Sequence, residues 1–541
     1  MTLADLLADV VATRPAAVLV IDGEDDVRVT RAEFLARTVA LRDALRERGV
    51  GRGDCVGVML PNWSDALVWQ FAAAALGAHV IGINTRYGVG DVAHVLERAR
   101  PAVVAVADDF LGLDLSGRLR DALPEAGVPA PQVAVVAGPG RPPVSAIEAA
   151  RHDVGAGTWV PPEPAGPPPD ADALRGGPDA LAVAFTTSGS TGRPKLAAHL
   201  SSGVATHARN VAAAGGWDED SVSLVVLPLS GVFGYVPALA AIAAGGAVLL
   251  EPTFDPARTV AHMARHYVTH LACADDISGR LMEAWRAQPV GLPDWRRLLI
   301  ADFYGTSATV AAWAEDETGT PTCGVYGSSE LFALMSFWDP ALPRPDRWRG
   351  GGVPVSDAIE VRAVDLFTGE PITGDEPGEL QFRGYHVVDG YLGDHDGAIR
   401  AAAFTEDGWF RSGDLGVARP DGSFVYLNRI GDALRLKGFL VDPAEIENRL
   451  AAHPDVGRTK VVGITRAGET RAIAFVEPAE GAEPDPVALR EWCAATLARF
   501  KVPDTVHVIP EMPTTVGTNG AKIRAAALRE LAERLAGAEQ G

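Results

Sequence analysis

Apolar residues recur along the first hundred positions with two different periods. MTLADLLADVVATRP and RAEFLARTVALRDALRERGV place them at helical spacing, the second segment ending at Gly51. CVGVML reads as a short buried strand stopped by Pro61-Asn62, SDALVWQFAAAALG as a helix and HVIGIN as a second strand. Strand and helix alternating through short links predict a parallel sheet covered by helices. Ser221 to Leu250 carries no charged residue and is long enough to cross a bilayer. Pro228, Pro237, Gly231, Gly234 and Gly245-Gly246 interrupt it, however. It reads better as strand, loop, helix, Gly-Gly turn and strand, the buried unit of a parallel sheet.

Downstream, the composition shifts between Pro124 and Pro178. AGPGRPP, VPPEPAGPPPD and LRGGPD predict an extended linker, mostly at the surface. It runs into the β-prone ALAVAFTT, and alternating units continue to about residue 330. After Trp348, AIEVRAVD, GELQFRG, WFRSGDLGVAR and SFVYLNRI alternate over short spans, with turns such as Pro420-Asp421-Gly422-Ser423. The tail returns to mixed elements: AEIENRLAAH and DPVALREWCAATLARF as helices, TKVVGIT and RAIAFVE as strands. The expected fold is α/β. A large domain spans 1–430, with a β-rich subdomain at 349–430, and a smaller α+β domain spans 431–541. The boundary falls near Arg429 to Asp432.

At 541 residues the chain exceeds one ordinary core, and 47% hydrophobic with 22% charged residues is a globular balance. The net charge of −22 repels phosphate backbones and argues against a dedicated nucleic-acid binder. Cys55, Cys273, Cys323 and Cys493 lie far apart without a CxxC pair, so neither a disulfide framework nor a zinc cluster is expected. The amino-terminal helix has no basic leader, and a reducing cytoplasm is the expected location.

Directly after ALAVAF comes Thr186-Thr187-Ser188-Gly189-Ser190-Thr191-Gly192-Arg193-Pro194-Lys195. Glycines let backbone N–H groups approach a phosphate, hydroxyls donate hydrogen bonds and the lysine adds positive charge. It is not a Walker A loop, because Pro194 precedes the lysine and no Ser or Thr follows it. A flexible surface turn has the same composition. Its position after a strand, where α/β sheets bind ligands, favours a site.

This segment resembles the phosphate-loop signature of the adenylate-forming superfamily, which includes acyl-CoA synthetases. Four further segments follow in that superfamily's order: Tyr326-Gly327-Ser328-Ser329-Glu330, Trp409 to Asp414, Arg435 to Glu447, and Pro513 to Lys522. The resemblance implies that Thr187, Ser188, Gly189, Ser190, Thr191, Gly192 and Lys195 cradle the phosphates of ATP. It places Tyr326 and the loop ending at Gly305 at the adenine, and Asp414 and Arg429 at the ribose. Ser329 would meet the α-phosphate or the acid. Glu330, with Thr187, would hold Mg²⁺. Lys437 and Gly438 would line a pantetheine tunnel, and Lys522 would be the catalytic lysine of adenylation. Taken singly, Glu330 also suits a capped turn into a helix at Leu331, Asp414 a β-turn, and Lys522 a solvated tail.

Four positions depart from the pattern, one of them Gly431, which stands at the hinge where Asp or Lys is usual. Gly231 stands where a histidine is usual, Ala301 to Gly305 is bulkier than usual, and Asp275-Asp276 replaces an apolar pair. A solvated helix cap is the favoured reading of that pair over a contact with an amine-bearing substrate. The resemblance implies an ATP-dependent ligase that forms an acyl-adenylate and passes the acyl group to CoA, in specialised biosynthesis. The small domain would rotate about Gly431 between the half-reactions. A carrier-protein thiol as acceptor, and adenylation of nitrite to diazotise an aromatic amine, are alternatives within the superfamily. A non-catalytic nucleotide or acyl-CoA-binding module is the alternative of another class.

Overall fold

A computed structural model describes residues 1–187, 194–303, 305–430, 434–436, 439–441, 443–466, 469–517 and 520–538. Two large sheets form most of the molecule. In the first, the strands Gln132–Val136, Val103–Ala107, Cys55–Met59, His79–Gly82 and Leu181–Thr186 run parallel in that spatial order. Leu196–Leu200 turns back antiparallel on Leu181–Thr186, and Gly390–Tyr391 closes that edge. These strands are apolar on both faces because helices such as Ser64–Leu76 cover them.

In the second sheet, Val18–Asp22, Ala247–Leu250, Val222–Val225, His270–Ala274, Arg297–Ala301 and Thr322–Tyr326 are parallel neighbours. Antiparallel strands extend it beyond Thr322–Tyr326, ending with Phe424–Arg429, Phe410–Ala418, Gly378–Arg383 and Glu360–Val364. The β-rich region after Trp348 therefore continues the parallel sheet edgewise.

One buried apolar cluster runs from Leu3 to Phe424 through both sheets. Two further clusters lie between Leu434 and Ala532, around the strands Val456–Arg466 and Glu469–Pro478 and the helix Pro443–Ala451.

Several sequence expectations need correction. The stretch 124–178 is more than a surface linker. Its apolar QVAVV forms the buried strand Gln132–Val136, and Thr158–Trp159 pairs beside it. The prolines flank these strands rather than interrupt them, and the average composition hid a five-residue core segment. The uncharged stretch 221–250 is a strand, the helix Val232–Ala243 and a second strand. Among the described residues, no helix is long and apolar enough to cross a membrane. DPVALREWCAATLARF is helical only over Pro486–Ala494, with a single 3₁₀ turn at Arg499–Lys501.

Candidate functional site

The hydroxyl-rich segment joins two antiparallel strands; it does not enter a helix as a Walker-type loop does. Thr187 N–H donates to Lys195 O at 2.8 Å, and Lys195 N–H donates to Thr187 Oγ1 at 3.2 Å. These two bonds close the base of a hairpin between Leu181–Thr186 and Leu196–Leu200. Ser188, Gly189, Ser190, Thr191 and Gly192 lie outside the described residues. The base is anchored from a third element by Tyr87, whose hydroxyl lies 2.6 Å from Thr186 Oγ1. The Lys195 ammonium stands 5.4 Å from the centre of the Tyr391 ring.

Tyr326 to Glu330 leaves the end of Thr322–Tyr326 and meets the hairpin. Ser329 Oγ donates to Thr186 O at 3.3 Å, and Val388 N–H donates to Glu330 O at 2.7 Å. No helix begins at Leu331. Phe332, Ala333 and Leu334 have φ of 56°, 44° and 42°, three consecutive non-glycine residues in the left-handed region. Gly327 makes room for this turn, since a Cβ there would lie 2.6 Å from Ala333 Cα. At about 1–2 kcal/mol per residue the turn costs about 3–6 kcal/mol. Two imidazoles donate to its carbonyls, His199 to Ser329 O at 2.7 Å and His207 to Ala333 O at 2.8 Å. Each such bond contributes about 0.5–1.5 kcal/mol. The fully buried Phe332 ring adds about 1.5–3 kcal/mol, which brings the total to the same size as the cost. Burial lowers both imidazole pKa values to about 4, so each ring is neutral and donates through Nε2–H.

Asp414 and Arg429 face each other across the antiparallel pair Phe410–Ala418 and Phe424–Arg429. Arg429 Nε lies 2.9 Å from Asp414 Oδ1, and the Tyr326 hydroxyl donates to Asp414 Oδ2 at 2.5 Å. The Tyr326 ring is buried, stacked on Phe382 at 5.4 Å and edge-on to Phe424 at 5.2 Å. Burial pushes the Glu330 carboxyl above its usual range, against the pull of Arg429 and Lys195. Glu330 thus lies within electrostatic reach of Arg429 and of Lys195.

Asp275 is not a solvated cap. It is fully buried, and its carboxylate accepts from Phe303 N–H at 2.9 Å, Thr306 N–H at 2.9 Å and Thr306 Oγ1 at 3.0 Å. Burial and the nearby Asp302 charge raise its pKa to about 6. Gly305, at φ 82°, donates its N–H to Asp302 Oδ1 at 2.9 Å. The buried Asp275 and the exposed Asp302 therefore both shape the loop around Phe303 and Thr306.

Where the two sheets approach each other, Asn62 donates to Leu227 O at 2.9 Å and accepts from Leu229 N–H at 2.8 Å. That fixes the loop leading to Gly231. Gly82 lets Ser230 approach the first sheet, because a Cβ there would lie 2.6 Å from Ser230 Cα. Gly231 itself precedes the helix Val232–Ala243.

Lys522 lies on the strand Gly520–Ile523, opposite Thr515 of Thr514–Gly517. This hairpin packs against the helix Asp275–Ala287, with Cα atoms within 8 Å. The element carrying the candidate lysine therefore borders the element that shapes the 302–306 loop. Lys437, Gly438 and the hinge residue Gly431 lie outside the described residues. Sequence reasoning missed His199, His207 and Tyr391. The signal for His199 was a polar residue inside the apolar strand LAAHL, four positions after Lys195. Neither of the other two carries a local signature.

Two sheets meeting at the ends of their parallel strands, with a separately cored carboxy-terminal part, make an α/β fold of the kind that binds ligands at strand ends. The AMP-binding enzyme family matches residues 7–392, and the AMP-binding enzyme C-terminal domain matches residues 445–517. The chain belongs to the AMP-binding enzyme family and is an ATP-dependent, AMP-forming ligase. It is 30% identical over 525 residues to pyochelin synthase PchD of Pseudomonas aeruginosa, covering 95% of this chain and 89% of that one. It is 29% identical over 494 residues to feruloyl-CoA synthase of Amycolatopsis, covering 90% and 91%. The amide bond synthetase McbA of Marinactinospora thermotolerans shares the fold at a TM-score of 0.80 and 25% identity, covering 98% and 99%.

Proposed function

We propose that the chain activates a small carboxylic acid as its acyl-adenylate, releases pyrophosphate, and transfers the acyl group to the thiol of CoA. One observation carries this reading. Residues from three distant segments (Thr187 and Lys195, Ser329 and Glu330, Asp414 and Arg429) are tied together by direct bonds, and the 302–306 loop leaves the strand next to Thr322–Tyr326. The feruloyl-CoA synthase relative supports CoA as acceptor and an aromatic acid as substrate. The buried aromatic side chains Phe233 and Tyr235, on the helix after Gly231, are consistent with that class of acid.

In this reading the 187–195 hairpin binds the triphosphate, and Asp414 accepts from the ribose hydroxyls in place of the Tyr326 hydroxyl. Arg429 pairs with that carboxylate and orients it. Ser329 orients the attacking carboxylate beside the α-phosphate. Lys522 neutralises the charge that builds there in the transition state. Lys437 and Gly438 line the path of the incoming thiol after the part spanning 431–541 rotates about Gly431, a motion of the hinge type. Glu330 suits a hard cation. It is a half-buried carboxylate whose proton affinity is raised by desolvation, and the Thr187 hydroxyl belongs to the hairpin that Ser329 meets. Bound there, Mg²⁺ would offset phosphate charge.

The deciding experiment is an acid panel reading AMP release, with CoA, a phosphopantetheinylated carrier protein, amines or nitrite each present or absent. AMP and thioester formed only with acid plus CoA support the proposal. Release that needs nitrite and an arylamine, or an amine alone, replaces the acceptor. Release with no candidate under any condition removes the enzymatic reading.

A further inference from the structure

The segment bearing Ser329 and Glu330 ends in a backbone shape that its own sequence does not favour. Phe332, Ala333 and Leu334 carry side chains, yet all three sit in the left-handed region. Internal bonds close the turn, Ala333 N–H to Ser328 O at 3.0 Å and Met335 N–H to Tyr326 O at 3.1 Å. They do not fix where it stands relative to the hairpin at 187–195. Besides the bond from Ser329 Oγ to Thr186 O, the groups that do so come from elsewhere. His199 lies at the far end of the strand that begins just after Lys195 and donates to Ser329 O. His207, one helix further on, donates to Ala333 O. Between them stands the Phe332 ring, 4.7 Å from the His199 ring and 5.5 Å from the His207 ring.

Both imidazoles are buried, and a backbone carbonyl can only accept, so each must present N–H from Nε2. His386 belongs to the same buried cluster. Its ring is stacked on His207 at 6.3 Å, but among the described residues neither of its nitrogens has a partner, and it makes no bond to the turn. The cluster therefore contains two rings that hold the segment and one that only packs.

We propose that His199 and His207 are positioning residues for adenylation. They lock the left-handed turn against the strand that carries Lys195, so that Ser329 and Glu330 stand at a fixed distance from the phosphate-binding hairpin. This rests on the adenylation reading above. His199 transmits the register directly, because one five-residue strand joins it to Lys195. His207 fixes the opposite end of the turn. Neither ring touches substrate in this account; each acts through the backbone of the segment it holds.

The test compares His199→Leu, His207→Leu, His199→Gln, His207→Gln and His386→Phe with the parent in acid-dependent pyrophosphate–ATP exchange. It records kcat, KM for ATP, the Mg²⁺ concentration at half-maximal rate, and Tm. The Leu variants lose the donor and are expected to lower kcat on the order of 10-fold or more and to raise the Mg²⁺ requirement. The Gln variants keep an N–H donor and are expected to recover part of the rate, also where a Leu variant fails to fold. His386→Phe is expected to retain the parent's kinetic constants whatever its Tm. The inference is overturned if the Leu variants exchange at the parental rate. It is also overturned if the Gln variants are no better than Leu, or if His386→Phe loses rate in proportion to Tm as they do. A parent enzyme without exchange on any acid overturns the adenylation reading itself, and this inference with it.

Discussion

Asp275 shows how one carboxylate is recruited from an ordinary helix start to hold a loop. Its three accepted bonds require the ionised form, while burial and the Asp302 charge raise its pKa to about 6. The loop should therefore loosen as pH falls through that value, giving kcat/KM for ATP an acid limb near pH 6. Asp302→Asn keeps an acceptor for Gly305 N–H but removes the neighbouring charge, so the limb should move to lower pH. A limb at the same pH in both proteins would separate Asp275 from the profile. The Asp414–Arg429 pair yields a second residue-scale expectation. Arg429→Gln leaves the buried Asp414 without its cation and should raise KM for ATP on the order of 10-fold or more, with a smaller effect on the acid. Equal effects on both substrates, measured by exchange kinetics, would count against a ribose role.

The elements that build the cleft were mostly legible because their signals are local. VSLVVL, ALAVAF and SFVYLNRI are apolar or alternating runs bounded by Pro and Gly, and they form the strands expected. Where the sequence misled, the deciding partner lay far away in the chain. QVAVV is buried by a strand some thirty positions upstream, beyond any compositional window. The turn after Glu330 reads as a helix start until His199, His207 and Phe332 are placed around it. Asp275 reads as a cap because its bonds reach loop residues near position 305. Asp22 belongs to the same class. It ends a strand, yet accepts from Ser64 N–H at 2.8 Å, at the start of a helix whose own N-cap residue gives no side-chain bond. Burial raises its pKa to about 7 from 3.8. Between those values the folded state holds a proton that the unfolded state releases, so this contribution to stability is lost as pH rises towards 7. The full window is worth on the order of 4 kcal/mol. Asp22→Asn cannot ionise. Its Tm should exceed the parent's by several degrees at pH 8, with the gap closing towards pH 5. A gap independent of pH would show that Asp22 is ionised in the fold throughout.

On the scale of the whole molecule, the chain has one continuous core up to Phe424 and separate apolar clusters from Leu434 onward. A part with its own core can turn as a body, which is what the proposed rotation about Gly431 requires. Calorimetry is expected to resolve two transitions, with Asp22→Asn moving only that of the larger part. A single transition shifted as a whole would mean that the parts unfold as one. The five recognisable segments were readable in order along the chain. The convergence of three of them, around Thr186, Ser329 and Asp414, was not, because it depends on two sheets meeting at Ser230 and Gly82 and at Ser329 and Thr186. The central claim is that this convergence forms an adenylation centre served by the lysine of the Gly520–Ile523 strand. It is tested most directly with Lys522→Ala, by comparing pyrophosphate–ATP exchange with thioester formation from a supplied acyl-adenylate. The variant should lose exchange by on the order of 10²-fold or more while still converting the adenylate. Exchange at the parental rate would contradict the account.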